Sequence, residues 1–334
     1  MTTMSPEEYV ERAEAIEAQI GRVIVGQRDL VRQVVTCLLC EGHVLLEGVP
    51  GLGKTQLLKT LSDAVDLAFS RIQFTPDLMP ADILGTQVLE EDESGHRHFR
   101  FRPGPVFANL VLADEVNRAT PKTQSALLEA MQERSVTVAG ETRPLPRPFL
   151  VMATQNPIEM EGTYPLPEAQ LDRFLLKALV AFPPAEDLVA VVERTTGDRR
   201  VDVEAVADDT VLSAMVDLTR QVPAASTVVQ HAVDLIVATH PDRPEAPAAV
   251  RQYVRFGASP RGAQALILAA KAGALLDGRP NAASTDVRAV AHAALRHRLV
   301  LGYEAVADGI SADAVVDDIL RAVPEPATGL RGAP

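Results

Sequence analysis

The chain has 334 residues, of which 47% are hydrophobic, so we expect a folded protein with room for two domains. Its formal net charge is −13, it has no Trp, and only 4% of its residues are aromatic, which argues against nucleic acid as a partner. The two cysteines, the acidic polar start and the lack of a long apolar run predict a cytoplasmic protein with no signal peptide and no membrane span.

Two helical patterns open the chain, and short apolar strands follow. Residues 5–20 predict a helix with Ser5 as its cap and Pro6 at its first position, and a second helical pattern covers 30–39. The predicted strands are nearly continuous apolar runs separated by helical patterns: 43–48, 69–75, 109–115, 148–154 and 175–182. This alternation indicates an α/β domain with a parallel sheet covered on both faces.

Two β-hairpins are predicted at 84–105 and 135–146, in addition to the strands of a minimal sheet of this kind. They are either surface decoration or functional inserts. No strand is predicted after residue 182, and helical spacing rich in Ala, Val and Leu fills the remainder. We therefore predict an α/β domain over 1–183 and a smaller all-helical domain over 184–334 that ends in a loose tail.

The stretch GVPGLGKT (48–55) matches the phosphate-loop pattern G-x-x-x-x-G-K-[ST], and it lies between an apolar strand and a helical run. Such a loop lets backbone N–H groups and a helix N-terminus converge on phosphate oxygens. We expect Lys54 to reach the β- and γ-phosphates and Thr55 to bind Mg²⁺. The predicted nucleotide contacts in this region are Gly48, Pro50, Gly51, Leu52, Gly53, Lys54, Thr55 and Gln56.

Polar residues that end two further strands complete the predicted site. Asp114 and Glu115 follow a buried strand. We expect Asp114 to help coordinate Mg²⁺ and Glu115 to act as the base that orients and deprotonates the attacking water. Asn156 ends another strand in ATQNP, where it either positions the same water or is an ordinary Asn-Pro turn.

Two arginines are candidates for contact with the nucleotide. Arg173 follows a short helical segment, and it either stabilises charge on the transferred phosphoryl group or makes a surface ion pair. Arg261 falls in the first turn of a helix capped by Ser259, at the end of the dipole that disfavours a cation. A bound phosphate would remove that conflict, so we predict that Arg261 reaches the nucleotide.

Taken together, these motifs resemble the AAA+ ATPases and, more closely, the MoxR family. The resemblance rests on IVGQ (24–27), EGVPGLGKT (47–55), FRPGPVFANLVLADEVNRA (101–119), ATQNPIEMEGTYPLPEAQLDRF (153–174) and GASPRG (257–262). It implies an αβα nucleotide-binding domain followed by a small all-α lid, and a Mg²⁺-dependent ATPase with ATP as its nucleotide.

The resemblance also assigns roles to individual residues. It implies that Lys54 and Thr55 belong to Walker A, Asp114 and Glu115 to Walker B, and that Asn156 is sensor 1. It further implies that Arg173 is an arginine finger acting on a neighbouring subunit and that Arg261 is sensor 2. Val25 and Gly26 would line the adenine, and the two hairpins would be the helix-2 and pre-sensor-1 inserts.

An arginine finger in trans implies a ring, usually a hexamer. By the same resemblance, we expect a chaperone that remodels or activates partner proteins, often ones with a von Willebrand factor A domain. A nucleotide-gated scaffold with little hydrolysis, a chelatase-type ATPase and a nucleic-acid motor remain alternatives.

One motif points to a site that we do not favour. Cys37 and Cys40 form C-x-x-C, with His43 nearby, which is a possible start of a zinc site. The run is apolar and helical and no fourth ligand is near, so buried thiols are the favoured interpretation.

Overall fold

The computed structural model describes residues 4–49, 51–91, 93, 95–156, 162–196 and 201–326, which form two compact units. The first unit comprises Met4 and the described residues from Glu11 to Val216, and the second comprises Ser5–Val10 and those from Asp217 onward. The elements up to the division between the units are α1 (Pro6–Val23), α2 (Arg28–Leu39), β1 (Val44–Glu47), α3 (Lys54–Ala64), β2 (Phe69–Gln73), α4 (Pro80–Leu84), β3 (Gly85–Glu91), β4 (Arg97–Pro103), β5 (Leu110–Asp114), α5 (Pro121–Glu133), β6 (Ser135–Val138), β7 (Glu141–Pro144), β8 (Leu150–Gln155), α6 (Glu168–Leu171), β9 (Leu176–Leu179), α7 (Ala185–Thr196) and α8 (Asp209–Gln221).

The five predicted core strands form one parallel sheet with the order β2-β5-β8-β1-β9. Its central strands are buried on both faces, which explains their nearly continuous apolar sequences. Val111 and Val151 are partners in the register, and they belong to a core cluster that includes Leu127, Leu128 and Met131 of α5. This packing holds the carboxyl ends of the strands in a fixed order.

Both predicted hairpins are present as antiparallel pairs, β3 with β4 and β6 with β7. Phe101 of the first hairpin packs edge-on against Phe107, and the guanidinium of Arg143 from the second hairpin lies 4.1 Å from the Phe101 ring centroid. The two hairpins therefore share a contact through a cation–π pair.

A buried carboxylate fixes the base of the second hairpin. Glu41, whose side chain is 3% exposed, accepts hydrogen bonds from Arg134, just before β6, and from Arg147, just after β7. Burial raises the pKa of Glu41, but the hydrogen bonds and charges of the two arginines outweigh burial and hold it below its ordinary value. The two ends of the hairpin are thus tied to the end of α2.

The first unit ends later in the chain than the sequence predicted. Residues beyond the predicted boundary near 184 belong to it: Arg194 donates to the carbonyls of Gly21 and Arg22, and the N–H of Val206 donates to Ala64. These hydrogen bonds are made across long stretches of chain, so local composition gave no sign of them. The division between units falls at Val216 and Asp217.

The second unit is mainly helical, as predicted. Its further elements are α9 (Ser226–Val237), α10 (Ala248–Tyr253), β10 (Val254–Phe256), α11 (Pro260–Leu276), α12 (Ser284–Leu295), β11 (Val300–Leu301), α13 (Tyr303–Ala307) and α14 (Ala312–Ala322). The prediction that no strand follows residue 182 is wrong in one respect, because β10 and β11 form a short antiparallel pair. Strands of two and three residues are too short to leave a periodic pattern in the sequence.

Candidate functional site

The carboxyl ends of β1, β2, β5 and β8 meet at one edge of the sheet and line a pocket of about 430 Å³. Ligands of open α/β sheets bind at this edge, because loops from neighbouring strands converge there. The described residues that line the pocket are Gly48, Gly51, Leu52, Gly53, Lys54, Thr55, Gln56, Arg71, Gln73, Asp114, Glu115, Thr154, Gln155 and Asn156.

The predicted phosphate loop joins β1 to α3 and forms one wall of this pocket. Gly51 and Gly53 have φ values of +84° and +77°, a left-handed conformation that glycine adopts without strain. Gly48 is needed for another reason, because a Cβ there would lie 2.7 Å from the carbonyl oxygen of Val180. Gly53 has no side chain to cap the first N–H groups of α3, so an anion can take that place.

Lys54 begins α3 and lines the pocket, where its Nζ donates to the carbonyl of Gly48. Burial lowers the pKa of Lys54, and the nearby carboxylates of Asp114, Glu115 and Glu47 oppose this effect. A partly buried ammonium group beside a glycine-rich loop is suited to bind an anion.

The two predicted acidic residues lie at the end of β5, where Thr154 of β8 connects them. The hydroxyl of Thr154 donates to Asp114 Oδ1 over 2.7 Å and accepts from the backbone N–H of Glu115 over 2.8 Å. Asp114 Oδ2 also accepts from Arg71 Nη2 at 2.7 Å, so both of its carboxylate oxygens are hydrogen-bonded.

The Glu115 carboxylate is held by two side chains. Its Oε2 accepts from Gln73 Nε2 at 3.0 Å and from Arg118 Nη1 at 3.0 Å. Gln73 in turn accepts from Arg71 at 2.8 Å, so the two acids share one polar network. The Glu115 side chain is 22% exposed, and it can therefore meet a water molecule in the pocket.

The residues present fit a nucleotide with Mg²⁺. Thr55 and Asp114 supply a hydroxyl and a carboxylate on the pocket wall, both hard oxygen donors. Mg²⁺ commonly takes one or two protein ligands and completes its shell with water and phosphate oxygens. No cluster of three or more His, Cys, Asp or Glu with metal-site geometry occurs in the part of the chain that the structure describes.

Other predicted residues have different surroundings. Asn156 is 8% exposed and lines the phosphate-loop pocket, whereas Pro50 lies outside the described residues. Val25 and Gly26 line another cavity of the first unit, of about 610 Å³, whose described lining shares no residue with the phosphate-loop pocket. Their contact with adenine stays a prediction.

Neither predicted arginine is part of the described pocket lining. Arg173 follows α6, and its Nε is buried with no hydrogen-bond partner among the residues that the structure describes. Arg261 belongs to the second unit, in the first turn of α11, where its N–H donates to Ser259 Oγ at 3.1 Å. Ser259 is thus the helix cap that the sequence predicted.

Sequence reasoning missed Arg71, Gln73, Arg118 and Thr154. A polar residue at or next to the last position of a strand, beside a strand that ends in an acidic residue, is the signal that would have found Gln73 and Thr154. Gln73 and Asp114 are partners in the register of β2 and β5, and Ala113 pairs with Ala153 just before Thr154. The signal could therefore be used only once it was known that β2 and β8 are the neighbours of β5.

The C-x-x-C stretch holds two buried, free thiols. His43 uses both ring nitrogens within the first unit: Nδ1 accepts from the N–H of Val151 at 3.0 Å, so Nε2 carries the proton and donates to the carbonyl of Met131 at 3.1 Å. His43 is therefore a structural residue in this fold.

Comparison with known proteins gives the class of the chain. Residues 43–176 match the model of the ATPase family associated with various cellular activities (AAA), and residues 246–319 match the AAA lid domain. A crystal structure from Cytophaga hutchinsonii, described as that of a candidate ATPase, has 39% identity and a TM-score of 0.90, covering 96% of this chain and 97% of that one. The fold and the site thus define an AAA+ ATPase with a lid.

Curated relatives narrow the family. "Chaperone MoxR1" of Mycobacterium tuberculosis is 47% identical over 92% of this chain and 81% of its own length. "Protein MoxR" of Methylorubrum extorquens is 33% identical over 95% and 94%, and "Uncharacterized protein YeaC" of Bacillus subtilis is 43% identical over 92% of both. The chain belongs to the MoxR family of AAA+ ATPases. None of its described helices is long and apolar enough to cross a membrane.

Proposed function

We propose that this chain hydrolyses ATP in a Mg²⁺-dependent reaction at the phosphate-loop pocket. The observation that supports the proposal is the meeting of Lys54, Thr55, Asp114 and Glu115 on the wall of one pocket at the carboxyl edge of a parallel sheet. Bound Mg²⁺ would neutralise negative charge on the β- and γ-phosphate oxygens.

Each residue has a separate role in this proposal. Lys54 and the loop from Gly48 to Gly53 bind the phosphates, and Thr55 and Asp114 hold Mg²⁺. Glu115 orients the attacking water and accepts its proton, while the Asn156 amide helps to position that water. The side chain of Gln56 and the segment Val25–Gly26 contact the remainder of the nucleotide.

Nucleotide binding tests the first part of this proposal. A fluorescent ATP analogue should bind the unsubstituted protein, and its affinity should fall when Mg²⁺ is chelated. Lys54→Ala should weaken binding strongly, since it removes the cation that the phosphate loop places on the pocket wall. Lys59→Ala is a matched control, because Lys59 lies on the same helix outside the described pocket lining. Equal binding by both variants would contradict the assigned site.

We further propose that Arg173 acts on the nucleotide of a neighbouring subunit in a ring, which the family resemblance suggests is a hexamer, and that Arg261 acts on the nucleotide of its own subunit. The family resemblance supports both roles, and neither arginine lines the described pocket of its own chain. An arginine finger contributes roughly 10³- to 10⁵-fold in rate, so Arg173→Ala should be nearly inactive.

Mixing two inactive variants tests the trans arrangement. In a mixed ring, Glu115 of an Arg173→Ala subunit can pair with Arg173 of a Glu115→Gln neighbour. Random mixing in equal amounts should restore about a quarter of the unsubstituted rate if each site lies between two subunits. No recovery in rings that contain both variants would contradict action in trans.

We also propose that ATP turnover remodels or activates a partner protein in the cytoplasm, and that the partner carries a von Willebrand factor A domain. The chaperone name of a 47%-identical relative supports the general role, and the family resemblance suggests the partner. Tagged Glu115→Gln protein with ATP and Mg²⁺ should retain such a partner from native extract, whereas Lys54→Ala should not. Retention of nucleic acid instead would favour a motor.

A further inference from the structure

Thr154 is a buried threonine whose single hydroxyl makes two hydrogen bonds to the acidic pair. The residue is 1% exposed, and its hydroxyl lies between the Asp114 carboxylate and the Glu115 backbone. A backbone N–H can only donate, so the hydroxyl oxygen accepts from Glu115 and its proton points to Asp114 Oδ1. The direction of both hydrogen bonds is therefore fixed.

The backbone of Glu115 needs such a partner. Regular pairing between β5 and β8 ends at Ala113 and Ala153, and Glu115 then adopts a left-handed conformation with φ 56° and ψ 49°. A non-glycine residue persists in this region only when its surroundings hold it there. The Thr154 hydroxyl accepts the Glu115 N–H just beyond the point where strand pairing stops.

We propose that Thr154 is a positioning residue for ATP hydrolysis, an inference that rests on the proposed roles of Asp114 and Glu115. Its hydroxyl fixes the orientation of the Asp114 carboxylate. The same hydroxyl also holds the backbone turn that directs the Glu115 side chain. A displacement of about 1 Å at a reacting group lowers a rate by about 100-fold. Loss of the hydroxyl should thus impair turnover far more than nucleotide binding.

The test compares Thr154→Val, which replaces the hydroxyl with a methyl group, and Thr154→Ser, which keeps the hydroxyl. In the full-length protein, Thr154→Val should lower kcat by about 10- to 100-fold while the Kd for ATP stays within about threefold. The Mg²⁺ concentration for half-maximal turnover should rise, because Asp114 loses one of its two side-chain donors. Thr154→Ser should keep kcat within about threefold.

Thr123→Val is the matched control. Thr123 is also 1% exposed, and its hydroxyl donates to the carbonyl of Leu78 at 2.7 Å, but it is not among the described residues of the pocket wall. This variant should lose some thermal stability and keep kcat. If Thr154→Val cannot bind ATP, then Thr154→Ala is a second hydroxyl-free variant that adds no methyl group at the site of the lost oxygen.

The outcomes separate this inference from the proposed function. Unchanged kcat in a hydroxyl-free variant, or a Thr154→Ser protein as slow as Thr154→Val, would overturn the positioning role and leave the ATPase intact. Equal losses of kcat in Thr154→Val and Thr123→Val would also overturn it, because general destabilisation would then explain both. Absence of turnover in the unsubstituted assembled protein would instead refute the proposed function.

Discussion

His43 is a neutral, buried imidazole just before β1, and lowering the pH should destabilise the protein because the ring of His43 then gains a charge. Its ring accepts from Val151, donates to Met131 and packs edge-on against Phe149 at a centroid distance of 5.6 Å. A second proton on the ring would remove the acceptor for Val151 and place a charge in the core. Burial lowers the pKa of His43 from 6.5 to about 4, helped by the charge of Arg134 and opposed by the hydrogen bond to Met131.

The magnitude follows from linkage between proton binding and folding. Because the folded pKa lies below the unfolded value, the unfolded chain binds more protons between pH 6.5 and 4, and stability falls as the pH falls through that window. The contribution of His43 should decrease by about 2 kcal/mol between pH 7 and pH 5. Its full loss below pH 4 amounts to about 3 kcal/mol.

The assay compares the unsubstituted protein with His43→Gln in urea at pH 7 and pH 5. The glutamine side chain of this variant keeps a donor for Met131 and does not titrate, so the free energy of unfolding of the variant should change less with pH. The advantage of the unsubstituted protein should shrink by about 2 kcal/mol between the two pH values. NMR titration of labelled histidines should give His43 a pKa near 4. A pKa near 6.5, or a stability difference that does not change with pH, would show that His43 is not held neutral by burial.

Two further predictions concern the hairpins. Glu41→Gln should lower the free energy of unfolding at pH 7 by about 2 kcal/mol, which is less than for a fully buried ion pair because Arg134 and Arg147 reach solvent. Urea unfolding measures this difference, and equal stability of the two proteins would contradict a stabilising role for the Glu41 ion pairs. Since the pKa of Glu41 is lowered in the folded protein, the difference should begin to shrink when the pH falls below the ordinary glutamate pKa and disappear as the pH falls through the lowered one. Gly104→Ala should lower the thermal midpoint, because its Cβ would lie 2.2 Å from a backbone carbonyl oxygen of α4, whereas Gly21→Ala, with open space around it, should not. A Gly104→Ala midpoint equal to that of the unsubstituted protein would show that the base of the first hairpin relaxes freely.

The sequence predicted the strands and the phosphate loop because both depend on local patterns. Apolar runs buried on both faces mark the sheet, and the glycines of the loop lie at fixed spacing before Lys54 and Thr55. The extent of the first unit depended on hydrogen bonds between distant segments, such as Arg194 with Gly21. No local pattern encodes contacts of that kind.

Site residues could be predicted where the pattern within one strand was sufficient to identify them. Asp114 and Glu115 follow a single buried strand, so their place at the sheet edge could be inferred from sequence. Thr154 and Gln73 are ordinary strand residues by type, and their contacts with the acids depend on which strands are neighbours. The order β2-β5-β8-β1-β9 was not encoded in any one segment.

The most direct test of the proposed ATPase compares ATP binding and turnover in Glu115→Gln. The substitution keeps the size of the side chain and removes its ability to accept a proton from water. This variant should bind ATP with Mg²⁺ within about threefold of the unsubstituted protein and lose about 100-fold or more in kcat. Turnover that survives the substitution would contradict the assignment of this pocket as the site of hydrolysis.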